Sequence, residues 1–210
     1  MNRNWIAPAC GVLFVVMAVV AFAMTGEGQD PAKKTAQEIA SYYSDHDTKH
    51  IVGALIIAAA GIPLLFFAGW IRRVLRTAEG EGGMLSAVAF GGLIVIVAGF
   101  TVGATIHLAL ADYADSSKVD PVALSAINAI DYDFFLPFPV GMCAFLLSAG
   151  LVTVRSGALP KWLGWVAIVL AILFFAGPVG FVAFIGALLW VLIVSILGIV
   201  RGGDPTPASA

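Results

Sequence analysis

The sequence predicts an all-α polytopic membrane protein, a bundle of six transmembrane helices with short surface helices in its outer loops, and three observations predict it. Hydrophobic residues fill 60% of the 210 positions and charged ones only 11%, against about 25% charged in soluble domains. Lipid is therefore the solvent for most of the chain. Apolar runs recur near residues 5–24, 50–71, 86–111, 133–154, 162–177 and 179–200, at or near the roughly 20 residues that a spanning helix needs. The polar segments between these runs alternate in basic content. Arg3, Arg72, Arg73, Arg76, Arg155, Lys161 and Arg201 fall on one side, and Lys33, Lys34, Lys49 and Lys118 on the other. Short cytoplasmic loops collect Lys and Arg, which puts both termini in the cytoplasm, N-in and C-in.

The first run, 5–24, carries no charge. A cleaved signal peptide competes for it, because Ala21-Phe22-Ala23 has the small-x-small form of a cleavage site. The run is longer than the about 7 to 15 apolar residues of such signals, so it is read as an uncleaved helix. Polar residues from Thr25 to Ser44 form a loop in which Thr35 and Glu38 make a capping box. Ile39, Tyr42 and Tyr43 then share one face, which predicts a short helix lying on the membrane with its tyrosines at headgroup level. Ser44 with Asp47 gives a second capping signal and places His46 in the first turn of span two. Pro63 cannot donate to the Ala59 carbonyl, which predicts a bend. Gly80-Glu81-Gly82-Gly83 follows no strand and lacks a Gly-Lys-Ser/Thr ending, so it is a turn and not a phosphate loop.

In span three, Gly92, Gly99 and Gly103 fall in one sector, and Gly99 to Gly103 is a GxxxG spacing that admits a neighbouring helix. His107 borders that face. Asp120-Pro121 reads as an N-cap followed by proline at the first helical position, opening a second surface helix over 122–130 that leads to Asp131-Tyr132-Asp133. Pro137 and Pro139 are expected to disturb the outermost turn of span four. Trp162 and Trp165 suit an interfacial belt, Pro178 a tight reversal, and the polar tail 202–210 disorder.

His46, His50 and His107 all fall at the outer ends of spans two and three. On one helix, His46 and His50 at i and i+4 would present both rings on one face, where two neutral imidazoles can chelate a metal; a helix N-terminus favours the neutral form. His107, Asp131 and Asp133 would complete a divalent site such as zinc takes. Against the metal set His46, His50, His107, Asp131 and Asp133 stands a plainer reading of solvated histidines and helix-terminal acids. The pair lacks the Glu of HExxH, and carboxylates two apart on a helix diverge by about 200°. No catalytic or cofactor-binding residue is assigned. A net charge of -2 without a dense basic stretch speaks against nucleic acid as a partner. The span cores carry no charged residue of the kind that marks ion pathways. Cys10 and Cys143 sit in apolar runs as small hydrophobes.

Gln37-Glu38-Ile39-Ala40-Ser41-Tyr42-Tyr43-Ser44-Asp45-His46, Gly157-Ala158-Leu159-Pro160-Lys161-Trp162-Leu163-Gly164-Trp165 and Leu189-Trp190-Val191-Leu192-Ile193-Val194-Ser195 together resemble a family of uncharacterised bacterial multi-pass membrane proteins. The resemblance implies a similar helical bundle in the bacterial plasma membrane and carries no activity with it. The expected function is that of a non-enzymatic accessory or lipid-interacting bundle, with membrane lipids as partners and homo-oligomers formed through small-residue helix faces. The alternatives are a metal-dependent hydrolase acting on lipid headgroups at the outer face, and a small-solute transporter suggested by Pro63 and the glycine face of span three.

Overall fold

A computed structural model describes residues 5–26, 28–176 and 179–203. Arg3, the reversal at Pro178 and the tail beyond Gly203 lie outside the described residues. Within them every regular element is a helix: α1 Ile6–Thr25, α2 Ala36–Asp45, α3 Asp47–Glu79, α4 Met84–Tyr113, α5 Pro121–Asp133, α6 Pro137–Ser156, α7 Lys161–Leu173 and α8 Val179–Val200. Five stretches are long and apolar enough to cross a membrane, namely Ile6–Thr25, Asp47–Glu79, Met84–Tyr113, Pro121–Ser156 and Val179–Val200. At 13 residues, α7 falls short of that length.

Local chemistry sets the ends of these helices. Thr35 and Glu38 close the expected capping box, with the Glu38 amide donating to Thr35 Oγ1 at 3.3 Å and the Thr35 amide to Glu38 Oε2 at 2.8 Å. The Thr35 amide, and after it the Thr35 hydroxyl, hold the Glu38 carboxyl below its ordinary value by donating to it. Asp120 caps α5 through the Val122 amide at 2.8 Å, with Pro121 following as expected. The second capping signal is not realised. Ser44 and Asp45 belong to the last turn of α2, and Ser44 Oγ donates to Asp115 Oδ1 at 2.8 Å, a partner 71 residues away that no local pattern reveals. Pro137 and Pro139 sit in the first turn of α6, where the missing N–H groups have no intrahelical partner to lose, so they begin the helix rather than disturb it. Helix α3 runs past the apolar stretch through Arg72, Arg73 and Arg76. It ends where Gly80 turns left-handed (φ +83) and Arg76 Nη1 donates to the Gly80 and Glu81 carbonyls at 2.9 and 3.1 Å.

The chain divides into two compact units, one of Met1–Val15, Ile62–Val97 and Pro137–Ala210, the other of Val16–Gly61 and Ala98–Leu136. In the first, left-handed Gly157 (φ +71) folds α7 back onto α6. The two helices meet so closely that a Cβ at Gly150 would stand 2.7 Å from the Gly164 carbonyl oxygen. Trp190 of α8 packs edge-on against Phe145 at 5.4 Å and donates to the Leu163 carbonyl at 2.9 Å. Helices α4 and α6 approach at Gly92 and Gly141, where a Cβ on either would fall 2.5 or 2.7 Å from the other's carbonyl oxygen. The expected GxxxG pair is not that crossing: Gly103 faces the Phe134 ring. Gly202 and Gly203, expected in a disordered tail, are ordered, and the Gly203 carbonyl accepts from Trp70 Nε1 at 3.3 Å and Arg73 Nη2 at 3.4 Å.

Thr153 Oγ1 is buried without a hydrogen-bond partner. An unmade buried bond costs about 1–3 kcal/mol. Thr153→Val removes the hydroxyl at nearly constant shape and should raise the thermal midpoint by a few degrees; a lowered midpoint in a detergent melting curve would show that the hydroxyl is satisfied.

Candidate functional site

The second unit gathers the titratable residues that the sequence singles out. Helix α2 does not lie free on a surface. Its Ile39 and Tyr43 are buried in a small core with Leu110 of α4 and Leu124 of α5, because α5 offers the apolar complement that a lone amphipathic helix would otherwise seek in lipid. Helix α3 meets α1 at Gly53, where a Cβ would come within 2.7 Å of Thr25 Cγ2. These contacts place the first turn of α3, the last turns of α4 and the end of α5 around one point.

There, His50 Nδ1 lies 2.9 Å from His107 Nε2, and His107 Nδ1 lies 2.9 Å from Asp131 Oδ2. His50 is 1% exposed; the side chains of His107 and Asp131 are 12% and 14% exposed. With Asp131 as the carboxylate and His107 as the neutral ring, His107 Nδ1 donates to Asp131 and its Nε2 accepts from His50 Nδ1. The result is a directed chain, His50 to His107 to Asp131, that ties α3, α4 and α5 together.

Tyr43 closes the chain from the α2 side, its ring 5.0 Å from that of His50 and 5.7 Å from that of His107. Its hydroxyl donates to Asn128 Oδ1 at 3.1 Å, and Asn128 Nδ2 donates to the Gln29 carbonyl at 2.7 Å. Burial, reinforced by the nearby Asp131 charge, pushes the Tyr43 phenol well above its ordinary pKa, so it remains a donor. Neither Tyr43 nor Asn128 stands out as a site residue in the sequence. Their signal is spacing alone: Tyr43 follows Ile39 by four, and Asn128 follows Leu124 by four, which puts each on the inward face of its helix.

Of the five candidate ligands, the structure joins His50, His107 and Asp131 and separates the other two. His46 is the non-helical residue that closes α2 (φ -130, ψ 20), so it does not stand in the first turn of α3 as expected. Its Nδ1 faces the Tyr42 carbonyl at 3.0 Å, and its ring is exposed and centred 6.3 Å from that of His50. Asp133 is exposed at the end of α5, two residues and about 200° round from Asp131. Among the described residues no three His, Cys, Asp or Glu side chains converge as a metal set. Two imidazoles on one zinc at 2.0–2.1 Å would stand about 3.3 Å apart with both lone pairs on the ion; the 2.9 Å separation here is that of a hydrogen bond.

No family model, curated protein or solved structure matches the chain.

Proposed function

We propose that the protein is a non-enzymatic, lipid-embedded accessory bundle of a bacterial plasma membrane, with six crossings and both termini in the cytoplasm, whose second unit is held by the histidine chain. The observation that carries this reading is the pair of 2.9 Å contacts joining His50, His107 and Asp131. They direct the polar atoms of the buried groups at one another instead of at a substrate. A sixth crossing by α7 is supported by the turns that prolong it, with Phe175 and Ala176 donating to the Ile172 and Leu173 carbonyls. Lipid is the partner this reading requires. The glycines at Gly53, Gly92 and Gly141 serve contacts within the chain, so homo-oligomers through small-residue faces would use positions such as Gly69 and Gly91, where an added Cβ meets nothing within 4 Å.

A metal-dependent hydrolase acting on lipid headgroups is the second reading, favoured by one observation. A carboxylate on the far nitrogen of a histidine, as Asp131 stands to His107, is what orients a metal-ligating imidazole in known sites. Elemental analysis separates the two. Protein purified without chelator, alongside a His50→Ala, His107→Ala variant, is expected to carry no stoichiometric transition metal in either form. A metal present at one per chain in the parent and lost in the variant would overturn the accessory reading in favour of the hydrolase.

A further inference from the structure

Helices α2 and α5 pack against each other, yet their exposed faces have opposite chemistry. The exposed side of α2 bears Gln37, Glu38, Ser41 and Asp45, and its buried side Ile39 and Tyr43. That is the ordinary arrangement of a helix with water outside. Helix α5 reverses part of it. Its exposed stripe is Val122, Ala126 and Ile130 at i, i+4 and i+8, with Val122 67% and Ile130 58% exposed. Asn128 and Asp131 turn inward and find their partners there, in Tyr43, Gln29 and His107.

From this inversion we infer that the Val122–Ala126–Ile130 face of α5 contacts acyl chains, so that α5 is a membrane-immersed helix while α2 faces water. A surface facing water would leave large aliphatic side chains exposed while turning an amide and a carboxylate inward, the reverse of what hydration favours. In lipid the same arrangement is the stable one, since every inward polar group already has a donor or acceptor inside the protein. The stripe contains no charged residue. Its polar limits are Asp120 at the N-cap and Asp133 at the last turn, and Phe135 and Leu136 just beyond it are also exposed. Thirteen residues make a rod of about 20 Å, suited to lying along the hydrocarbon boundary with its apolar side sunk about 5–10 Å.

This inference rests on the membrane reading above, and the test keeps the two apart. In a Cys10→Ala, Cys143→Ala background, single cysteines introduced as Ala126→Cys, Gln37→Cys and Leu189→Cys are spin-labelled, and the protein is reconstituted into phosphatidylcholine–phosphatidylglycerol vesicles. Collision with oxygen, which partitions into lipid, is compared with collision with a water-soluble nickel chelate. The expected result is oxygen-dominated relaxation at 126 and 189 and nickel-dominated relaxation at 37. A nickel-dominated label at 126 with an oxygen-dominated one at 189 overturns the placement of α5 alone. A label at 126 shielded from both reagents overturns it too, by showing protein on that face. Nickel-dominated relaxation at 189, in the middle of α8, would bring down the membrane reading and this inference together.

Discussion

His107→Ala should cost the protein about 3 kcal/mol or more, the scale on which a largely buried charged group loses its hydrogen-bond partner. The ring is the middle link: its Nδ1 meets Asp131 and its Nε2 meets His50, both at 2.9 Å. Deletion leaves a carboxylate that is 14% exposed without its donor, and a His50 N–H pointed into the space the ring filled. Asp131→Asn keeps an acceptor for His107 Nδ1 and should cost less, about 1–3 kcal/mol. The triple replacement His50→Leu, His107→Leu, Asp131→Leu should recover much of the loss, because no polar group is then left without a partner. Denaturant unfolding in detergent micelles measures all three. If the triple variant is destabilised by the sum of its single changes, the residues do not act as one chain and the account of this site fails.

The helices were legible where a periodic or capping pattern stays local. Thr35 with Glu38 and Asp120 with Pro121 mark helix starts that the structure keeps. Ser44 with Asp47 is the same kind of signal and fails, because the Ser44 hydroxyl has a better acceptor in Asp115, far along the chain. The site was half legible for the same reason. Apolar periodicity brings the ends of α3 and α4 into view, and with them His50 and His107. Whether His46 joins them depends on one non-helical residue between α2 and α3, and that break has no signature in residue type. Tyr43 and Asn128 were hidden by their own helices' amphipathicity, which marks them as inward-facing without saying that they bond to each other. The expectation for α2, an apolar face seeking lipid, was correct in chemistry and wrong in partner: that face is covered by Leu110 and Leu124.

Gly92→Ala should be among the most damaging single methyl groups in the first unit, and its neighbour supplies the control. A Cβ at Gly92 would sit 2.5 Å from the Gly141 carbonyl oxygen and 2.7 Å from the Phe145 backbone nitrogen. Neither atom is the end of a side chain that can rotate away, so α4 and α6 must separate. Overpacking of this kind costs about 1–3 kcal/mol and occasionally more; with backbone on both sides of the clash, the upper end is expected. Gly141→Ala should behave alike, since its Cβ would meet the Gly92 carbonyl oxygen at 2.7 Å. At Gly91, one residue away, a Cβ meets nothing within 4 Å. There the same methyl should stabilise by roughly 0.5–1 kcal/mol through the helix preference of alanine over glycine. The two substitutions share chemistry, helix and depth, so propensity and lipid contact cannot account for a difference in opposite directions. Equal melting temperatures for Gly91→Ala and Gly92→Ala would mean that α4 and α6 do not cross on these glycines.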